Sequence, residues 1–326
     1  MDRDQILITG GAGFIGSQVG LRLLASGASV VVLDSFDPFY DVRIKHRAVA
    51  RLRAAGADRF TLIEGDLRDA EACGRAVRGS TGVIHLAALA GVRPSIQDPV
   101  RYMDVNVRGT QILLEALRAA CAPTVPFVFG SSSSVYGGNT KVPFAESDPV
   151  DRPVSPYAAS KKAGEVQCAA FHHLHAHPVT CLRFFTVYGP GQRPEMAIHQ
   201  FTRRIVAGQP LPFFGDGTTR RDYTYVDDIV DGIVAALRQA RGYAIYNLGG
   251  SHTTTLADLV AKLERALGKR AILDRQPDQP GDVQQTYADV SLVAAELGWR
   301  PQVDIDEGIA RFVRWYSTEH AAGHVA

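Results

Sequence analysis

An α/β fold built on a doubly wound parallel sheet is predicted by three features of the chain. Strand-like and helix-like runs alternate through its first half, the strands are apolar on both faces, and a glycine-rich turn joins the first strand to the first helix. QILITG opens the series, and a helical pattern follows from about Phe14 to Ala25. Next come the strand SVVVLD and a longer helical stretch ending near Gly56. FTLIEGD, GVIHLAA and PFVFGSS continue the strands, with helical stretches around residues 69–78 and 104–119 between them. Strands with no polar alternation need cover on both faces, and helices on either side of a parallel sheet supply it. After about residue 182 the rhythm changes to proline- and glycine-rich loops, the helix DDIVDGIVAALRQA, the strand YNLGG and a helix from Leu256 to Leu267. No fixed-period repeat interrupts this order.

Composition narrows the function classes. The chain has 326 residues, 46% of them hydrophobic and 21% charged, which suits a soluble globular protein with a large core and two lobes. Thirty-five basic against thirty-four acidic side chains leave a net charge of +1, so no whole-molecule field favours nucleic acid. MDRDQILITG enters a strand without the basic and then apolar pattern of a signal peptide, and no long apolar run follows, so a cytoplasmic protein without a membrane partner is expected. Cys73, Cys121, Cys168 and Cys181 form no C-x-x-C pair and are read as buried apolar residues.

The turn TGGAGFIGS places Gly10, Gly11, Gly13 and Gly16 between the first strand and the first helix. Glycine permits the tight turn and close backbone approach, while the helix N–H groups can face a pyrophosphate. Asp34 closes the second strand, where a carboxylate accepts hydrogen bonds from an adenosine ribose and repels a ribose phosphate. The pair therefore predicts a dinucleotide site for NAD in preference to NADP. Asp66 and the Leu86-Ala87-Ala88 segment sit at later strand ends, the edge where open parallel sheets bind ligands. A Rossmann-type domain is expected over residues 1–182, completed by a returning segment near 222–248, with residues 183–326 forming mainly a smaller α/β substrate-binding lobe.

YAASK puts Tyr157 and Lys161 on one face of a helix. With the glycine turn and the serine-rich strand end, this pattern resembles the Tyr-x-x-x-Lys motif of the extended short-chain dehydrogenase/reductase family. HLAALAGV, VNVRGT and RDYTYVDDI extend the resemblance over essentially the whole chain. SSSSVYGGNTKVPFAE and RFFTVYGPGQRPEMA look, more narrowly, like the UDP-glucuronate 4-epimerases. The resemblance implies Tyr157 as proton-transfer base, Lys161 as its electrostatic partner and ribose anchor, and Ser132 as the hydroxyl bridging phenol and substrate. It adds Phe14, Ile15, Leu67 and Asn106 to the cofactor contacts. Ser133, Ser134 and Arg93 would contact the substrate, with Arg221 at its diphosphate, Phe214 and Asp282 near its uracil and ribose, and Thr186 and Arg193 facing the sugar carboxylate. Gln279 stands where neutral-hexose epimerases carry an arginine.

Chemistry favours the same class. A phenol with an ordinary pKa of about 10 becomes a usable base beside a lysine ammonium and an oxidised nicotinamide. Removing a hydroxyl proton while hydride leaves the same carbon gives a ketone, and reversal on the other face inverts that carbon. Related 4,6-dehydratases carry an Asp-Glu pair just after the catalytic Ser/Thr, and related decarboxylases a glutamate. Ser133 and Ser134 can hydrogen-bond but are poor acids near neutral pH, which disfavours elimination. A neutral UDP-hexose 4-epimerase and a non-catalytic NAD-sensing protein stay open as alternatives. His173 and His177, in FHHLHAHP, could bind a metal on one helix face, but no carboxylate completes the set and no metal is expected. The helices around residues 104–119 and after Tyr157 resemble the pair that forms a homodimer interface in the superfamily.

Overall fold

The computed structural model describes residues 4–277 and 283–324. The first half runs β1 (Gln5–Thr9), α1 (Phe14–Ala25), β2 (Ser29–Asp34), α2 (Val42–Gly56), β3 (Phe60–Glu64), α3 (Ala70–Val77) and β4 (Gly82–His85). It continues through α4 (Val92–Gln97), α5 (Pro99–Met103), a π-helical turn at Asp104–Arg108, α6 (Gly109–Ala120), β5 (Phe127–Ser132), α7 (Pro156–His175) and β6 (Val179–Phe184). The second half adds β7 (Thr186–Tyr188), α8 (Ala197–Val206), β8 (Pro210–Phe214), β9 (Arg220–Tyr225), α9 (Val226–Gln239) and β10 (Tyr243–Leu248). β11 (Thr253–Thr255), α10 (Leu256–Leu267), β12 (Ile272–Gln276), α11 (Ser291–Leu297) and α12 (Ile305–Ala321) complete it.

Seven strands form one parallel sheet in the order β10-β6-β5-β4-β1-β2-β3. Their side chains divide between two cores. Ile6, Ile8, Val30 and Val32 pack on the α1, α2 and α9 side, whereas Leu7, Val31, Leu33 and Val83 pack on the α3, α6 and α7 side. Burial of each such side chain is worth about 1.5–3 kcal/mol, which explains why these strands show no polar alternation. The chain moves from β1 outward to β3 and then returns to β4 on the other side of β1. That reversal leaves a crevice beyond the carboxyl ends of β1 and β4, the place where open sheets of this topology accept ligands. A three-stranded sheet, β11-β9-β7, and a two-stranded one, β12-β8, lie outside the large sheet.

Two close approaches frame the crevice. A Cβ on Gly16 would sit 2.4 Å from the Gly10 carbonyl oxygen, so only glycine lets α1 start this tightly against the turn. A Cβ on Gly164 would meet Phe129 at 2.3 Å, so this glycine draws α7 onto β5. α7 begins with Pro156 at its first turn and Ser155 as cap, whose hydroxyl accepts the Ala158 N–H at 3.1 Å. The stretch expected as one helix from 104 to 119 differs. Helical backbone begins at Pro99, and the π-helical turn precedes α6. Cys73, Cys168 and Cys181 are buried thiols, while Cys121 is only half-buried, at the end of α6. Among the described residues no helix is long and apolar enough to cross a membrane.

Candidate active site

A cleft of about 450 Å³ opens at the carboxyl ends of the sheet. It is walled by the Gly10–Gly16 turn, Asp34, Asp66 and Leu67, Leu86 to Ala88, the serine run, Tyr157, Lys161, Thr186 and Arg193. Residues that the sequence scatters over more than half of its length thus share one cavity.

The cofactor half is built from backbone donors and one carboxylate. α1 starts at Gly13 with no side-chain cap, and Phe14 and Ile15 line the cleft, so the helix terminus is left for an anionic ligand. Asp34 is oriented by the Ala12 N–H at 3.0 Å and the Phe36 N–H at 2.9 Å, with the buried Lys45 ammonium 3.7 Å away. Uncapped helix, glycine turn and fixed carboxylate fit the pyrophosphate and adenosine ribose of NAD. Asp66 lines the cleft too, but Arg68 grips both its oxygens at 2.9 and 2.7 Å and holds its carboxyl below the usual range. Asn106 stands behind the wall. Its amide accepts the Leu89 N–H at 2.8 Å and donates to the Leu89 carbonyl at 2.9 Å and the Ser160 hydroxyl at 3.0 Å. It thereby pins the strand-end segment to α7, an effect of the π-helical turn that places it there.

The reacting half centres on Tyr157. Removal from water raises its phenol above the ordinary value, while a hydrogen bond with Ser132 and the charge of Arg193 pull it back. Ser134 donates to the Ser132 oxygen twice, from its N–H at 3.2 Å and its hydroxyl at 2.9 Å. The Ser132 proton is then left for the phenol oxygen, where it favours the phenolate, and a sugar hydroxyl entering the cleft would take the place of the Ser134 hydroxyl on Ser132. Lys161 donates to the Gly130 carbonyl at 2.7 Å and lies over the Phe129 ring at 5.2 Å. Burial pushes its ammonium down to about 8.

The substrate side is partly assembled. Thr186, on β7, and Arg193 line the cleft. Arg193 pairs with Glu195 at 3.0 Å, touches the Met196 sulfur at 3.5 Å and lies over Phe39 at 5.5 Å. Arg93 and Phe214 are brought together, with the guanidinium 5.3 Å from the ring, but neither lines the cleft. Arg221 also stays off that wall and donates to the Arg220 carbonyl at 2.8 Å. Asp282 and Gln279 lie outside the described residues. Asp37 and Tyr40, after β2, and Lys45 on α2 line the cleft as well, and none of them carries a motif that sequence reasoning could use.

His177 lies beyond the end of α7, so it does not share a helix face with His173. Its ring stacks on Phe171 at 5.1 Å and bonds the Val125 carbonyl at 3.0 Å. Among the described residues no group of three His, Cys, Asp or Glu side chains could hold a metal.

Residues 7–312 match the family model described as GDP-mannose 4,6 dehydratase. The chain belongs to this family. UDP-glucuronate 4-epimerase 4 of Arabidopsis thaliana is 42% identical over 331 residues, covering 95% of this chain and 75% of the relative. The crystal structure of a UDP-glucuronic acid 4-epimerase from Bacillus cereus, in complex with UDP-glucuronic acid and NAD, superposes with a TM-score of 0.90 at 35% identity, covering 96% of this chain and 99% of that one. A dTDP-glucose 4,6-dehydratase from Streptomyces venezuelae with NAD bound gives 0.89 at 34% identity, over 98% of each chain. Backbone likeness is thus nearly equal for two activities, and side chains at the site must separate them.

Proposed function

We propose that this chain is an NAD-dependent UDP-glucuronate 4-epimerase, interconverting UDP-glucuronate and UDP-galacturonate. The observation that carries this reading is the wall around Tyr157. It presents hydroxyls at Ser132, Ser133 and Ser134, a guanidinium at Arg193, and no carboxylate directly after Ser132. Gly10 to Gly16 and Asp34 would hold NAD, with Lys161 at its nicotinamide ribose; when bound, it accepts the C4 hydride and gives it back. Tyr157 takes the C4-hydroxyl proton through the Ser132 bridge and later returns a proton to the same oxygen. Lys161, one turn further along the same face of α7, would add positive charge to this half of the cleft. Rotation of the keto-sugar about its diphosphate anchor presents the other face, and the carbon is inverted. Proton NMR of a mixture with NAD and UDP-glucuronate tests the assignment. UDP-galacturonate is the expected product, and conversion of UDP-glucose alone would move the protein to the neutral-hexose epimerases.

Arg193 gives this reading its substrate. An incoming carboxylate exchanges for Glu195 on the guanidinium, and a charge-assisted pair of that kind is worth about 1.5–3 kcal/mol. Arg193→Ala is therefore expected to lower kcat/KM for UDP-glucuronate about 10- to 100-fold. The change for UDP-glucose should be only a few-fold, arising from the lost pull on Tyr157. Equal losses for both sugars would show that Arg193 does not meet the carboxylate.

The division into an NAD-binding domain of residues 1–182 with a returning segment near 222–248, and a mainly substrate-binding lobe of 183–326, belongs to the same proposal. A cytoplasmic location and a homodimer do as well. Val100 on α5 is 77% exposed and Val166 on α7 is 56% exposed, and such residues on adjoining helices suit burial against a second copy. Sedimentation of the wild-type protein is expected to give the dimer mass and Val166→Glu a monomer. A wild-type monomer would refute this part.

A further inference from the structure

All four serines of the run border the cleft, but the side chain of the first turns elsewhere. Ser131 is 2% exposed, and its hydroxyl donates to the Glu165 carboxylate at 2.7 Å. Glu165 lies two turns beyond Tyr157 and one beyond Lys161, so the three share a face of α7. Arg183, on β6, is the register partner of Ser131 on β5, and it grips the same carboxylate from Nε at 2.8 Å and Nη2 at 3.0 Å. Its remaining branch donates to the Tyr136 hydroxyl at 2.9 Å, and Tyr136 donates in turn to Asn247, the register partner of Arg183 on β10, at 2.7 Å. A polar row thus crosses three strands of a sheet whose buried positions are mostly apolar, Thr9, His85 and Thr180 aside. Burial alone would raise Glu165, yet Arg183 and Ser131 hold its carboxyl below the usual range, so the row contains a true ion pair.

Such a row is a poor choice for stability, since a buried ion pair is often matched or exceeded by apolar side chains of the same volume. Its geometry has another use. Ser131 begins the segment that carries Ser132, Ser133 and Ser134, and Tyr136 ends the short 3-10 turn that closes it. Both ends are fastened to the same Glu165–Arg183 pair, and one turn earlier on α7 Lys161 fastens the Gly130 carbonyl. We propose that Ser131, Tyr136, Glu165 and Arg183 are positioning residues that set the serine run against α7, and thereby set the hydrogen bond between Ser132 and Tyr157. This inference rests on the reading of Tyr157 and Ser132 as the proton-transfer pair.

Two variants test it without stranding a buried charge. In Ser131→Ala, Glu165 keeps both bonds to Arg183; in Tyr136→Phe, the ring keeps its stack on Phe144 at 4.7 Å. Each is expected to lower kcat for UDP-glucuronate about 10-fold, the size of one transition-state hydrogen bond, with KM and bound NAD little changed. The ascending, acid-side limb of the kcat–pH profile should move to higher pH, because a misplaced Ser132 no longer supports the phenolate. Arg193 and Tyr102, the ionisable groups that act on the phenol, and Lys161, one turn along α7, are unchanged in both. Ser131→Cys, which keeps a weaker donor, should recover part of the rate. Wild-type kcat and an unshifted profile in either folded variant, even with a lowered melting temperature, would overturn the proposal. Tyr157→Phe separates the two levels. If it is inactive while Ser131→Ala and Tyr136→Phe are normal, only the positioning role falls; if it is active, the proton-transfer reading falls.

Discussion

Tyr157→Phe is expected to keep its NAD and lose about 10³-fold or more of its epimerase turnover. The ring that packs edge-on against Tyr102 at 6.3 Å is preserved, so the wall keeps its shape. Only the oxygen that exchanges a proton with the C4 hydroxyl is gone, and general base catalysis by a positioned group is worth about 10²–10⁴ in rate. Without a base, the hydroxyl proton has nowhere to go as hydride leaves its carbon. Ser132 cannot replace the phenol, because a serine hydroxyl is far too weak an acid to exist as the anion near neutral pH. Lys161 cannot either while protonated, and its Nζ is committed to the Gly130 carbonyl. Chromatography of UDP-glucuronate and UDP-galacturonate, with NAD released from denatured protein measured in parallel, checks both halves. Near-normal turnover would remove Tyr157 from the mechanism. A dead variant that has also lost its NAD would show a structural role instead.

Much of this site is legible in the sequence because its elements are local. The turn from Gly10 to Gly16, the strand ending at Asp34 and the Tyr157–Lys161 pair each combine a backbone requirement with a side chain inside one short segment. SVVVLD reads as a buried parallel strand for the same reason, since both faces of that strand are covered along its own length. Contacts across elements are not written that way. Lys45 sits among the basic residues of α2, and nothing in their spacing tells that it turns toward Asp34 while Arg43 is exposed and Arg47 reaches the His324 carbonyl. Asn106 is a cofactor contact by resemblance, yet a π-helical turn aims it at Leu89 and Ser160. Glu165 and Arg183 are ordinary charged residues in sequence and become a pair only because β6 lies beside β5 under α7. The serine run shows both cases at once: pleat alternation separates Ser131 from Ser132, but only the fold supplies the glutamate that Ser131 meets.

The second large effect concerns what the site must prevent. Oxidation of glucuronate at C4 makes a β-keto acid, and carbon dioxide leaves easily when the bond from C5 to the carboxylate aligns with the ketone π-system. Its departure passes an electron pair to C5 and leaves an enolate that needs a proton. Thr186, Arg193 and one of Ser133 or Ser134 are proposed to hold the carboxylate out of that alignment while the diphosphate anchor lets the sugar turn. Serine in place of an acid beside Ser132 also withholds the proton that would make the loss irreversible. The wild-type enzyme is therefore expected to form almost no UDP-pentose or UDP-4-keto-pentose. Thr186→Val and Arg193→Ala, chosen to leave the NAD half intact, should raise the ratio of pentose to epimer about 10-fold or more, a change of ~1.4 kcal/mol in relative barriers. Mass spectrometry of the product mixture reads that ratio directly and independently of overall rate. Abundant pentose nucleotide from the wild type would make the protein a decarboxylase. An unchanged ratio in both variants would mean that suppression comes from elsewhere, leaving Arg193 at most a binding contact, because a residue that restrains the keto-acid must alter its partitioning when removed.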